Sequence, residues 1–143
     1  DWLAQASRLP VEVAHGGAPA LPGHVYLAPD DHHLGVAPGG RIVLSRDPPE
    51  NHVRPAVSFL FRSLATVYGA HAVGVLLTGM GRDGAEELKQ MKEAGAVTIA
   101  QDQDSSLVHG MPGAAIALGG ATQVLPAERI AEALAALAAA GTA

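Results

Sequence analysis

Apolar residues follow two alternating rhythms along this chain. Val11-Glu12-Val13-Ala14, His24-Val25-Tyr26-Leu27-Ala28-Pro29, Val73 to Leu77, Ala96-Val97-Thr98-Ile99-Ala100 and Thr122-Gln123-Val124-Leu125 are short runs rich in β-branched residues, and they predict strands. Between them Val57, Leu60, Phe61, Leu64, Val67 and Tyr68 repeat at helical spacing, with Pro55 suited to the first helical position and Gly69 to the stop. Ala85 to Ala94 has helix-forming composition, with Leu88 and Met91 one turn apart and Gly95 to end it. Pro126 opens an alanine-rich helix whose Ile130, Leu134 and Leu137 share a face. Trp2 to Leu9 reads as the end of a further helix, halted by Pro10. Leu34-Gly35-Val36 and Arg41-Ile42-Val43-Leu44 flank Pro38-Gly39-Gly40, the pattern of an antiparallel hairpin. His15 to Pro22 and Ser45 to Val53 read as loops, and Asp104 to Leu118 gives no readable period because Gly110, Pro112 and Gly113 interrupt it.

Strand alternating with helix through the second half predicts a parallel, helix-covered α/β sheet. Val73 to Leu77 is uniformly apolar, as expected of a strand buried on both faces. No internal repeat or long linker divides the 143 residues, a length that suits one domain with a sizeable core.

Composition narrows the function. A net charge of −5 with nine Lys and Arg argues against a broad nucleic-acid or acidic-membrane surface. The absence of cysteine excludes disulfides and thiolate metal sites and suits a reducing compartment, so a cytoplasmic location is expected. The apolar run Ala133 to Ala140 is far short of the roughly 20 residues that span a bilayer, so no membrane insertion is expected. Asp1-Trp2-Leu3 carries no sign of a signal peptide, and a chain opening on helical sequence without Met leads us to expect a portion upstream.

The main candidate for chemistry is Asp83 in Thr78-Gly79-Met80-Gly81-Arg82-Asp83-Gly84, at the corner between the predicted strand and helix. Ligands and catalytic groups collect at that end of an open α/β sheet. Asp is also a preferred helix cap, and spacing alone leaves both readings open. Gly79 to Gly84 formally fits G-x-G-x-x-G, with Asp102 near the place of a ribose-binding acid, so a nucleotide-binding module is a second hypothesis. Against it, Asp83 would face the pyrophosphate with a like charge, and the motif lies halfway along the chain. Asp30-Asp31-His32-His33 has metal-ligand residue types, but neighbouring side chains in an extended turn diverge, which favours a polar surface turn. Ser105, Ser106 and His109 with Asp102 and Asp104 suggest a triad, although polar residues opening an irregular helix fit the pattern better. No metal or cofactor is implied.

Taken with what surrounds it, the Thr78 to Gly84 motif resembles the catalytic domain of the chemotaxis protein-glutamate methylesterases, the CheB family. The likeness extends through Leu21-Pro22-Gly23-His24-Val25-Tyr26-Leu27-Ala28-Pro29, Asp31, His33, Arg54-Pro55, Leu60-Phe61-Arg62-Ser63, Ala94-Gly95-Ala96, Thr98-Ile99-Ala100-Gln101-Asp102, Gly110-Met111-Pro112 and Ala114-Ala115. The resemblance implies a doubly wound, mostly parallel sheet covered by helices on both faces, with a β-hairpin and with its first strands upstream of Asp1. It also implies a serine hydrolase that cleaves glutamyl methyl esters on methyl-accepting chemotaxis receptors and deamidates receptor glutamines. The family's triad acid carries over to Asp83. Its serine and histidine segments would lie upstream, as would a phosphorylated receiver domain, so the chain alone is expected to be inactive. Thr78, Gly79, Met80, Gly81, Met111 and Pro112 are the expected lining of the site. Ala56 and Ser58 depart from the family pattern, in which Ser and Asp are common at these positions. A non-catalytic interaction domain is a third reading.

Overall fold

The computed structural model describes Gln5 and residues 7–141. Half of the helix end expected over Trp2 to Leu9 lies outside the described residues, and of the rest Gln5 and Ser7 are helical.

β1 (Val11–Val13) and β2 (Val25–Leu27) pair in parallel, with Val11 opposite Val25. β3 (His33–Ala37) and β4 (Arg41–Ser45) form the expected antiparallel hairpin. Its turn needs glycine, because Gly39 and Gly40 adopt φ of 88° and 76°. The loop after β1 runs back along β4. Gly17 N–H donates to Ile42 O, Ile42 N–H to Ala18 O and Ala20 N–H to Gly40 O, each at 2.8 Å, so its backbone groups are paired without a formal strand.

α1 (Val57–Val67) lies across β3. Gly35 permits the approach, since a Cβ there would stand 3.0 Å from both the Phe59 ring and Ser63 Oγ. The predicted stripe is largely core, with Phe61 buried and Val57, Leu60, Leu64 and Tyr68 packed around it. Pro55 differs from expectation: it precedes the N-cap, Ala56, whose backbone is extended. Helical geometry begins at Val57 because the Val57 N–H is taken by a carboxylate from a distant loop.

A short 3₁₀ turn, Gly69–His71, leads to β5 (Val73–Leu76). Then come α2 (Ala85–Glu93), β6 (Val97–Gln101), α3 (Met111–Ala117), β7 (Gln123–Leu125) and α4 (Ala127–Gly141). The strands make a parallel sheet in the order β5-β6-β7. Thr98, Ile99, Ala100 and Gln101 are all buried, and successive strand residues point to opposite faces, so the central strand is covered on both sides. Leu76, Leu88, Met91, Ala96 and Ala115 form the core with Phe61, and Leu88 and Met91 are wholly enclosed. Gly74 lets α2 sit directly on β5, since a Cβ there would meet Leu88 Cδ1 at 2.8 Å and Met91 Sδ at 2.9 Å.

Three further expectations change. Among the described residues β5 pairs only with β6, so it is an edge strand, and Val73 and Leu77 are exposed rather than buried on both faces. The unreadable stretch after Asp104 contains α3. Pro112 sits in its first turn, where no N–H is required, and Gly113 makes room for the His109 ring, whose Nδ1 would lie 2.9 Å from a Cβ. On α4 only Ile130 of the expected face is buried, and Leu134 is exposed.

Candidate active site

Asp83 occupies the loop between β5 and α2, at the carboxyl end of the sheet, and is 8% exposed. It is a helix cap, but not for the helix it precedes. Its Oδ2 accepts the Val57 N–H at 2.6 Å and its Oδ1 accepts the Ser58 N–H at 3.1 Å, so it closes the first turn of α1. Ala56, at the N-cap, has no side-chain oxygen to do this. The residue ahead of α2 is Gly84, at φ 84°, where a Cβ would stand 2.6 Å from Val57 Cγ1. Glycine there allows the loop to dock against α1 and deliver the carboxylate.

A third donor, Asn51 Nδ2, reaches Asp83 Oδ1 at 2.9 Å. A carboxylate has about four acceptor positions, and among the described residues these donors fill two on Oδ1 and one on Oδ2. Among the described residues no histidine bonds to Asp83. Behind it, Ser58 Oγ donates to Glu87 Oε1 at 2.6 Å and accepts from Asn51 Nδ2 and Gly84 N–H, each at 3.0 Å. Sequence reasoning missed Asn51 and Glu87. The bare N-cap at Ala56 was the available signal that a cap had to come from elsewhere. Ala56 and Ser58 are both buried, so their departures from the family pattern concern this internal network rather than an outer surface.

The expected lining residues divide. Thr78 Oγ1 donates to Val108 O at 3.0 Å and accepts Val108 N–H at 2.8 Å. Gly79 O accepts the Gly110 and Met111 N–H groups at 3.0 and 2.9 Å, and Met111 Sδ would lie 2.7 Å from a Cβ on Gly79. Thr78, Gly79 and Met111 are therefore brought together beside the loop. Gly81 is exposed at φ 81°, and Met80 projects with 79% of its surface open. Pro112 is fully buried behind Met111.

The other constellations have local roles. Ser105 donates both its hydroxyl (2.6 Å) and its N–H (2.9 Å) to Asp102 Oδ1, and these bonds hold the Asp102 carboxyl below its ordinary pKa. His109 faces Gln101 O at 3.1 Å rather than a serine, so the pieces of a triad do not meet. His33, expected on a surface turn, is fully buried against Phe59 at 4.7 Å between ring centroids. Its Nδ1 accepts the Ala56 N–H at 3.2 Å, so the ring hydrogen lies on Nε2 and goes to Pro48 O at 3.0 Å. Asp31 pairs with Arg54 at 2.7 Å and Arg46 at 3.0 Å, and the Arg54 hydrogen bonds hold its carboxyl below the usual range. Among the described residues no group of three His, Asp or Glu is placed to hold a metal. A cleft lined by Asn51, Arg82, Glu86 and Glu87 opens at the start of α2, where a pyrophosphate would have to sit. Two carboxylates on the first turn of that helix disfavour the nucleotide reading.

Fold and site together define an open α/β domain whose polar centre is a buried carboxylate at the carboxyl edge of a parallel sheet. The chain belongs to the CheB methylesterase family, whose model matches residues 1–134. It is 58% identical over 134 residues to a protein-glutamate methylesterase/protein-glutamine glutaminase of Nitrosospira multiformis, covering 94% of this chain and 38% of that protein. A second of the same name, from Geobacter metallireducens, is 55% identical over 139 residues, covering 96% and 40%. The chain thus spans well under half the length of these curated relatives. The crystal structure of the Thermotoga maritima CheB methylesterase catalytic domain superposes with a TM-score of 0.87 at 40% identity, covering 93% of this chain and 72% of that one.

Proposed function

We propose that this chain is part of a catalytic domain that hydrolyses glutamyl methyl esters on chemotaxis receptors, and deamidates receptor glutamines, with Asp83 as the acid of a Ser-His-Asp triad. In this reading the serine and histidine come from another part of the protein. The serine Oγ attacks the ester carbonyl and its proton passes to the histidine, which returns it to the departing methoxy oxygen as methanol. Water then cleaves the acyl-enzyme by the same route, leaving glutamate. Asp83 would orient the imidazole through its Nδ1–H and stabilise the imidazolium formed at each transfer. Thr78, Gly79, Met80, Gly81, Met111 and Pro112 would shape or back the wall beside it, with Met80 meeting the substrate. A receiver domain upstream and a cytoplasmic setting complete the proposal. Among the described residues no helix is long and apolar enough to cross a membrane.

The observation that carries this reading is a carboxylate at the carboxyl end of the sheet, 8% exposed and held in one orientation by three N–H donors. The test is methanol release from methylated receptor by the full-length protein. Asp83→Asn is expected to lower turnover by about 10⁴, the scale seen when a triad acid can no longer fix the tautomer of its histidine. The 143-residue chain alone is expected to release none. Turnover by Asp83→Asn within about tenfold of the unaltered protein, a far smaller loss than a triad acid gives, would contradict the assignment.

A further inference from the structure

We propose that Glu87 is a positioning residue for Asp83, acting through Ser58 and Asn51 in a hydrogen-bond chain of fixed direction. This rests on the reading of Asp83 as the triad acid. A hydroxyl has one hydrogen and two acceptor positions, and Ser58 Oγ has three partners. Two of them, the Gly84 N–H and the Asn51 amide nitrogen, can only donate. The hydrogen of Ser58 must therefore go to the third, Glu87 Oε1, at 2.6 Å. With that hydrogen committed, both lone pairs of Oγ face inward, and one of them receives Asn51 Nδ2. The same nitrogen donates its other hydrogen to Asp83 Oδ1 at 2.9 Å. Rotating the Asn51 amide would set its oxygen against the Asp83 carboxylate, so the order Glu87 ← Ser58 ← Asn51 → Asp83 admits one arrangement.

The chain is anchored at its start and its middle by Arg62, and at its far end by the Val57 and Ser58 N–H groups on Asp83. Arg62 is bidentate to Glu50 at 3.0 and 2.6 Å and places Nη1 4.0 Å from Glu87 Oε2. Glu50 adjoins Asn51, so one guanidinium ties the start of the chain to the segment bearing its middle. Asn51 and His52 adopt φ of 52° and 68°, a conformation that side-chain-bearing residues rarely accept and that Asn accepts best. Such strain persists where the surroundings enforce it, and here it aims the amide at Asp83. Glu87 is turned inward to Ser58 and Arg62, whereas Glu86, its neighbour on the same turn, is exposed. Without Glu87 the Ser58 hydrogen loses the acceptor that fixes its direction, which frees Oγ to rotate against Asn51 and loosens the carboxylate that must orient the imidazole.

The test uses the full-length protein and methanol release, with kcat and KM measured separately. Asp83→Asn comes first, because full activity there removes the triad reading itself and this inference with it. If that variant is inactive, Glu87→Ala is expected to lower kcat about tenfold with KM unchanged within about twofold, the signature of a group that acts only in the transition state. Ser58→Asp combined with Glu87→Ala should return kcat to within about threefold of the original, because a carboxylate at position 58 accepts directly from Asn51 Nδ2 and Gly84 N–H. A merely structural Glu87 would show no such rescue. Unchanged kcat in Glu87→Ala, or a loss that the double substitution does not repair, overturns the inference and leaves Asp83 in its role. If Glu87→Ala does not fold, Ser58→Asp alone is compared with the double variant. Two opposed carboxylates should make the single variant about tenfold slower than the double, and equal rates overturn the inference.

Discussion

Asp83 serves a helix end and, in the proposed mechanism, an imidazole, and the two roles separate by substitution. Asp83→Ala leaves the Val57 and Ser58 N–H groups and the Asn51 amide without their acceptor. Orphaned buried donors typically cost 1–3 kcal/mol, so urea unfolding should show a loss of about that size. Asp83→Asn keeps one acceptor oxygen, enough for the Ser58 and Asn51 donors but not for Val57 N–H as well, and should lose less than Asp83→Ala. Equal losses in the two variants would contradict the capping geometry. Asp31 gives a pH prediction: its pKa is lowered from 3.8 in the folded chain, chiefly by the Arg54 hydrogen bonds. The stabilisation is therefore fully present above pH 3.8 and is lost as pH falls through the lower folded value. The urea midpoint should drop more steeply with acid in the unaltered protein than in Asp31→Asn, and identical slopes would contradict the pairing. At this scale the corner position of Asp83 is legible in the sequence, because a lone acid in a glycine turn between strand and helix is a local pattern. It does not reveal Asn51, Ser58 or Glu87 as its neighbours, because they meet only through tertiary contacts that no period encodes. The burial of His33 is hidden for the same reason: its ring partners, Phe59, Pro48 and Ala56, lie far along the chain.

Elements are legible where a single period persists over several residues. α1 and α2 were legible from their stripes, and the hairpin from its paired glycines. α3 was not, because Pro112 and Gly113 act as breakers in an isolated helix. Here a first-turn position and a neighbouring histidine ring accommodate them. The burial of β5 was overestimated, since strand composition does not state how many neighbours a strand has. Packing between elements is testable at Gly74, whose Cβ would meet Leu88 and Met91 below 3.0 Å. Gly74→Ala is expected to destabilise by about 1–3 kcal/mol through overpacking, with no change in the far-ultraviolet signature of the fold. Leu88→Ala, which empties the same contact from the other side, is expected to cost about 2–5 kcal/mol. A neutral Gly74→Ala would show that α2 does not sit on β5 as described.

For the whole molecule, the described residues leave one edge of β5 unpaired and expose Leu77, Met80, Leu107 and Val108 along the carboxyl side of the sheet. Unpaired strand edges and grouped apolar side chains promote association. The 143-residue chain by itself should therefore sediment as concentration-dependent oligomers or melt with a concentration-dependent midpoint. A monomer with a sharp, reversible and concentration-independent melt would contradict this. The same carboxyl side is where the proposed mechanism brings an imidazole to Asp83 Oδ2. The most direct measurement is proton NMR on the full-length protein with isotope-labelled histidine. A far-downfield proton is expected on one histidine Nδ1, disappearing in Asp83→Asn while the rest of the spectrum is retained. A downfield histidine proton unaffected by Asp83→Asn, or the absence of any such proton in an active protein, would contradict it.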